Sequence, residues 1–485
     1  MVAYRAQLAL TLLASAIQVS ANTKLELGPR GIFDPVCKRI REETPDSTEV
    51  YYIGHPKYHK GISHWSSASV QYSECVVEPS TAAEVGHVLN IVSETRTPFA
   101  VKGGGHSTNP GFSSTEGVHI SMAQFSEVKY DLATETAEVG AGLIWDDVYE
   151  ALEPYGVNVV GGRVHGVGVA GFTLGGGYSW KTNQYGLTVD TVVAYELVKP
   201  DSSVVTVTAD SDPDLFWGLK GGLNNFGIVT KFTLKTHPQG EVWGGVATYT
   251  RTGIPAISAA TAAFSANVTD PKASIITTYN YIGVDVGISL LMFYDGPTPP
   301  AGIFDSFLAV PHLTKDVSTR SFLSLVKASP VEFTNGLRSH FQMVPVLDYS
   351  STTGAESLTL RSGLFFSYAV EPFLPNIYAH NIQGETAYPT ARDRFYSPFN
   401  IFFGWLSPLE DSTFQSSVLE SARALVAAAT SEGQSNLDSI SLYPNYASSR
   451  MPLSQVYGAN VPRLRALKGR VDPGDVMGLA GGFKF

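Results

Sequence analysis

The chain has 485 residues, too many for one compact core, so two or three domains are expected. Hydrophobic residues make up 44% and charged residues 16% of the composition, which excludes a disordered chain. A formal charge of -11 with no basic stripe excludes nucleic acid and other polyanions as partners.

The chain opens with an apolar run, "LALTLLASAIQV" at residues 8–19, behind a leader whose only charged side chain is Arg5. The run is too short to span a bilayer and ends in small residues, so residues 1–21 are expected to be a cleaved signal peptide. No later stretch is long and apolar enough for a membrane span. The two cysteines, Cys37 and Cys75, follow. In an oxidising compartment an even count points to a bridge; two buried free thiols are the other reading, and their spacing excludes a C-x-x-C site.

Thr81-Ala82-Ala83-Glu84 has capping-box form, and Val85, Val88, Leu89 and Val92 then recur at helical spacing. "TPFAVKGGGH" reads as a strand running into three glycines and His106, and "GVHISM" and "AEVGAG" as two more strands. "IWDDVYEALEPYG" is a short helix stopped by Pro154 and Gly156. "VVAYELVKPDSSVVTVTA" is a strand, a turn and a strand, and "FGIVTKFTLKTHP" closes the region near residue 238. From about 240 to 435 the glycine loops disappear. "ASIITTYNYIGVDVGISLLMFY" looks like sheet and "QSSVLESARALVAAAT" like helix, a texture expected of a pocket-forming second domain. Asn267-Val268-Thr269 is a glycosylation sequon, meaningful if the chain is secreted.

Three further glycine clusters lie in the first domain: "GVGVAG" (166–171), "GGG" (175–177) and "GGLNNFG" (221–227). The first spells G-x-G-x-x-G with Asp190 downstream, the form of a nicotinamide-dinucleotide fingerprint. That fingerprint needs a strand before it and a helix opening at its end. "FTLGGGYSW" follows instead, and its glycines are expected to break such a helix. Many glycine loops in one domain still call for an extended anionic ligand cradled by backbone N–H groups, and a large dinucleotide is the economical candidate.

"VKGGGHS", "VGVAGFTLGGGYS", "YGLTVDTV", "DLFWGLKGGLNNFGIVTKF" and the tail "YPNYA…YGAN…RL…LK…DP" resemble the berberine bridge enzyme-like FAD-linked oxidoreductases of the vanillyl-alcohol-oxidase superfamily. The likeness covers the first domain and the tail in family order; the middle matches only in length and texture. It implies an α+β fold with a PCMH-type FAD-binding domain built from both chain ends (residues 22–238 and 436–485). A substrate domain of antiparallel sheet covered by helices, residues 239–435, is inserted between them.

The resemblance also implies roles. His106 stands where relatives join the flavin covalently, and the second anchor, a cysteine, is replaced by Val164, so one covalent link is expected. Cofactor contacts are implied for Gly103, Gly104, Gly105, Ser107, Val167, Gly168, Gly171, Gly176, Gly177, Asn225, Gly227, Val229 and Asn445. Cys37 and Cys75 match the disulfide that pins the N-terminal helix of secreted relatives. Tyr446 and Tyr178 stand at base positions, to take a proton while a hydride leaves substrate carbon for flavin N5. A tyrosine base near neutrality is expected to need a nearby cation or hydrogen-bond donor. Asn400 lies near a position where relatives keep a polar active-site residue. Val167, small at the flavin face, implies oxygen as acceptor and hydrogen peroxide as product. The expected partners are a small-molecule substrate and oxygen, with the protein a secreted monomer acting in secondary metabolism or, as the other reading, a sugar or alcohol oxidase of the same family.

Overall fold

The computed structural model describes residues 31–485 apart from residues 32, 283–284, 348–361, 382–383 and 394. The expected signal peptide, residues 1–21, lies outside the described residues.

The fold is α+β, built around three main sheets. In a four-stranded sheet, Cys75–Glu78 and Phe99–Lys102 run parallel to Val118–Ser121 between them, and Glu49–Tyr51 adds antiparallel at the edge. The stretch before residue 65, which carries no clear periodicity, thus contributes an edge strand and two helices, Asp34–Glu43 and Pro56–Ile62. Cys37, on the first helix, is bonded to Cys75 at the start of its strand. Helix Ala82–Glu94 is capped by Thr81, whose hydroxyl accepts from Glu84 N. The Glu84 carboxylate does not complete a capping box; it accepts from Ser80 N and from the hydroxyl of Thr48.

A five-stranded antiparallel sheet holds Val128–Asp131, Thr136–Gly140, Ile228–Lys235, Val192–Val198 and Val204–Val207, in that order. The chain end returns to these layers. Ala480 bridges Phe99, and Asn225 Nδ2 donates to Phe483 O at 2.8 Å.

Residues 242–405 supply a seven-stranded antiparallel sheet. Its order is Thr314–Arg320, Val242–Thr250, Asp285–Tyr294, Ala273–Ile282, Gly363–Val370, Ser397–Trp405 and Arg338–Val346. Helices Ile254–Asn267 and Asp411–Ser431 cover one face, with Ile257 and Phe264 against Ile275 and Leu290, and Phe414 and Val418 against Ile401 and Phe403. Strand Ser397–Trp405 is buried at every position, as a strand covered on both faces must be. Its even-numbered residues Asn400 and Phe402 turn to the face opposite these helices, where the cavity lies between the sheet and the glycine loops.

Within "GVGVAG" a helix does open, Val169–Leu174, but it is six residues long and ends at Gly175. The glycines shorten the helix rather than prevent it. No strand leads into it; Gly166, at φ +84, makes a turn there. Asp190 is fully buried, bonded to Arg392 Nη2 at 2.5 Å and to Leu187 N at 2.9 Å, away from the cavity.

Candidate active site

A cavity of about 410 Å³ lies between the glycine loops and the bare face of the seven-stranded sheet. Gly103, Gly104, Gly105, His106 and Ser107 line it, as do Val167, Gly168 and Gly171 from the second loop, Gly227 and Val229 from the third, and Asn445 and Tyr446 from the tail.

The glycines are there because two backbones cross. A Cβ built on Gly104 would sit 2.5 Å from Gly168 Cα and 2.7 Å from Gly168 N, and one on Gly168 would sit 2.6 Å from Gly104 N. Neither position accepts a side chain without parting the loops. At Gly171, by contrast, a Cβ would meet nothing within 4 Å. His106 ends the first loop with its ring stacked on Trp65, centroids 4.4 Å apart. Burial pushes its pKa down to about 4, so the imidazole is neutral at pH 7. Its Nε2 is buried without a hydrogen-bond partner among the described residues.

These features fit FAD. Crossed glycine backbones give a long ligand close access to main-chain N–H groups, and a neutral imidazole with an unengaged nitrogen stands on the same wall. The residues that would hold it are the two crossed loops, the Gly227–Val229 stretch and His106. Val164 lines the cavity beside Arg163, and the chain's two cysteines are joined to each other elsewhere.

Three of the cofactor positions expected above are not brought to the cavity. Asn225 is fully buried and spends its amide N–H groups on Gly222 O and Phe483 O, anchoring the chain end. Gly176 and Gly177 take φ of +126 and +86, and pack beneath Tyr388 and Thr188, so they shape a turn behind the wall.

The two tyrosines differ sharply. Tyr178 borders the cavity, but its hydroxyl is engaged by Tyr378 Oη at 2.8 Å and Tyr388 Oη at 3.2 Å, and burial raises its pKa well above 10. Tyr446 sits in a charged triangle. Arg163 Nη2 donates to Tyr446 Oη at 2.9 Å and to Glu371 Oε2 at 2.5 Å, and Tyr446 Oη donates to Glu371 Oε1 at 3.2 Å. Burial and then Glu371 raise the Tyr446 pKa well above 10, against the opposing pull of Arg163. Burial likewise holds the Glu371 carboxyl above its usual range, opposed by Arg163.

The expected cation is therefore present, but its charge is already matched by Glu371. Sequence reading gave Arg163 no role and missed Glu371 altogether. The available signal was a lone carboxylate closing the apolar run "LFFSYAVE". Asn400 lines the cavity. Asn267, at the end of its helix, is exposed, with Nδ2 donating to Ala263 O at 2.9 Å.

Residues 73–208 match the FAD binding domain family. The chain is 30% identical to the FAD-dependent monooxygenase drtC of Aspergillus calidoustus over 98% of this chain and 95% of that protein. It is 37% identical to an uncharacterized FAD-linked oxidoreductase of Arthroderma benhamiae, over 60% of this chain but only 59% of that one. Among solved structures it superposes on wild-type BBE-like 1 of Physcomitrella patens with TM-score 0.72, 21% identity and coverage of 91% and 97%. The carbohydrate oxidase of Microdochium nivale gives TM-score 0.70, 21% identity and coverage of 92% and 98%. With a relative matched along nearly its whole length, the chain belongs to the FAD-dependent oxidoreductases that include drtC, and its fold is that of the berberine bridge enzyme-like proteins.

Proposed function

We propose that the protein is an oxidase of a small organic metabolite, using FAD held by one covalent bond through His106. The observation that carries this reading is the Arg163–Glu371–Tyr446 triangle on the wall of the cavity that His106 also lines. Bound FAD supplies the two-electron oxidant. The protein supplies the proton path. Tyr446 is a neutral phenol at pH 7, so it takes a substrate proton only while releasing its own, and Glu371 Oε1 accepts it. Burial makes that carboxylate a better base than an exposed one, and Arg163 keeps it ionised until the proton arrives.

Oxygen is the proposed acceptor, with Val167 leaving room at the cavity wall. Secretion, glycosylation at Asn267 and a monomeric state belong to the same reading. A role in secondary metabolism belongs to it too, and the relative drtC is by name a monooxygenase. Oxygen incorporation is therefore the second reading.

The test is a panel of hydroxylated arenes, amines and sugars offered to the holoprotein in air, following peroxide and heavy-oxygen incorporation. An oxidase releases peroxide equal to substrate consumed; label in the product would make it a monooxygenase. Tyr446→Phe should keep flavin and lose roughly 10²–10⁴-fold in anaerobic flavin bleaching. Acid precipitation should leave the yellow colour in the pellet, and His106→Ala should release it.

A further inference from the structure

The bare sheet face carries a polar stripe by register. Asn280 pairs with Ser367, and Thr278 with both Ala369 and Ser289; Ala369 in turn pairs with Asn400. The stripe is flanked by Phe341, Phe365, Phe402 and Trp65, all on the cavity. Two acceptors in it are unspent. Asn280 Nδ2 donates to Ser289 Oγ at 2.9 Å and to Thr278 O at 3.2 Å, which fixes the amide and leaves Oδ1 without a partner among the described residues. Asn400 Oδ1 is likewise buried and without a partner among the described residues. Buried amide oxygens are normally satisfied, so these two call for donors from a ligand.

The remaining chemistry narrows the ligand. Among the described residues lining the cavity, the only ionised side chains are Arg163 and Glu371, and they neutralise each other. A carboxylate or ammonium substrate would find no other counter-charge among these described residues. The spacing narrows it further. Asn280 and Asn400 lie on strands separated by one strand and are offset by two residues. At about 4.8 Å per strand and 3.4 Å per residue, their Cα atoms are roughly 12 Å apart. One benzene ring cannot serve both; two or three fused rings can. Aromatic walls on both sides of the stripe favour a flat ring system over a sugar, whose hydroxyls demand partners around the whole rim.

We infer that the sheet face recognises a neutral, flat, fused-ring hydroxyarene through hydroxyls donated to Asn280 and Asn400. The inference rests on the oxidase reading only for what happens at Tyr446.

The experiment follows quenching of tryptophan fluorescence in the FAD-loaded protein by four probes: 2,6-dihydroxyanthraquinone, 2,6-dimethoxyanthraquinone, hydroquinone and cellobiose. The dihydroxy probe should bind at least tenfold more tightly than the other three. Asn280→Ala and Asn400→Ala should each weaken it by roughly tenfold, the loss of one hydrogen bond, and leave the dimethoxy probe unchanged. An unaltered flavin spectrum in the variants reports the fold, and the ranking of probes on the unmodified protein stands without them. Cellobiose binding more tightly than the dihydroxy probe, or equal binding of dihydroxy and dimethoxy probes, overturns the inference. Tight hydroxyarene binding with every candidate substrate leaving the flavin oxidised sinks the oxidase reading and supports the recognition. Flavin bleaching by sugars, with no arene bound, does the reverse.

Discussion

Replacing Arg163 by methionine removes a positive charge that Glu371 touches and leaves its carboxylate in a site only 2% exposed. Breaking a buried pair from one side costs about 3–5 kcal/mol, because the surviving charge has lost its partner and not regained water. Unfolding entropy of about 2.1 cal/mol/K per residue sums to about 1 kcal/mol/K over 485 residues, so the midpoint should fall by about 3–5 °C. Removing both charges, as Arg163→Met with Glu371→Leu, should restore most of that loss. The pH dependence gives a second signature. The Glu371 pKa is already raised above its usual value, and without Arg163 it rises further. A carboxyl with a raised folded pKa favours the folded state at low pH, and that favour is lost as pH rises through the folded value. Arg163→Met should therefore recover stability relative to the unmodified protein when taken from pH 7 to pH 5. Calorimetry of the FAD-loaded protein at both values decides it. A single variant as stable as the unmodified protein, or a double variant as unstable as the single, would refute a matched buried pair.

Gly104→Ala places a Cβ 2.5 Å from backbone of Gly168, so the loops must part, and the purified protein should show markedly less flavin absorbance per chain at nearly unchanged helix content. Cys37→Ser with Cys75→Ser opens a loop of 38 positions and should lower stability by about 3–4 kcal/mol, read as a midpoint shift of about 3–4 °C; an unshifted midpoint counts against it. His165 links Asp146 (2.6 Å) to Glu332 (3.0 Å), on a segment lining the cavity, with Lys327 and His106 the other charged or titratable neighbours. Asp146 raises its pKa above 6.5, so the contact is fully present below 6.5 and is lost as pH rises through the higher folded value. Hydrogen exchange across Ser329–Thr334, corrected for its intrinsic pH dependence, should accelerate over that interval in the unmodified protein and not in His165→Phe.

What could be read from the sequence was local. The helix after Thr81 and the hairpin around Ala273–Ile282 announce themselves through period and punctuation. His106 and the glycine loops were visible as motifs. That Gly104 and Gly168 need each other was not, because the reason is a contact across 64 positions with no local trace. Strand Ser397–Trp405 shows no alternation because both of its faces are covered, so nothing in its pattern told Asn400 apart as a cavity residue. Arg163 and Glu371 are 208 positions apart, and each alone reads as an ordinary charge. For Gly176, Gly177 and Asn225 the family resemblance implied ligand contact; in the fold the two glycines turn the chain and Asn225 ties down its end.

The same contrast separates the two tyrosines. Each was singled out by motif; Tyr178 is buried, Tyr446 is half-buried, and both are neutral phenols. A phenol in that condition acts as a base only if its own proton has somewhere to go. Tyr178 hands over to Tyr378 and Tyr388, and Tyr388 is in turn bonded by Tyr396; every member is another phenol whose pKa is pushed upward by burial. Passing a proton into that cluster gains nothing, since every member is itself a neutral phenol with its own proton to lose. Tyr446 alone of the pair faces a carboxylate, and a carboxylate held above its ordinary basicity. On the proposed mechanism the proton leaves through Glu371, and Tyr178 packs. Tyr178→Phe removes one hydroxyl from a network of four and should leave anaerobic flavin bleaching within a few-fold of the unmodified rate. Tyr446→Phe should lose roughly 10²–10⁴-fold in the same assay. Equal losses in the two variants would place the base on the wrong tyrosine.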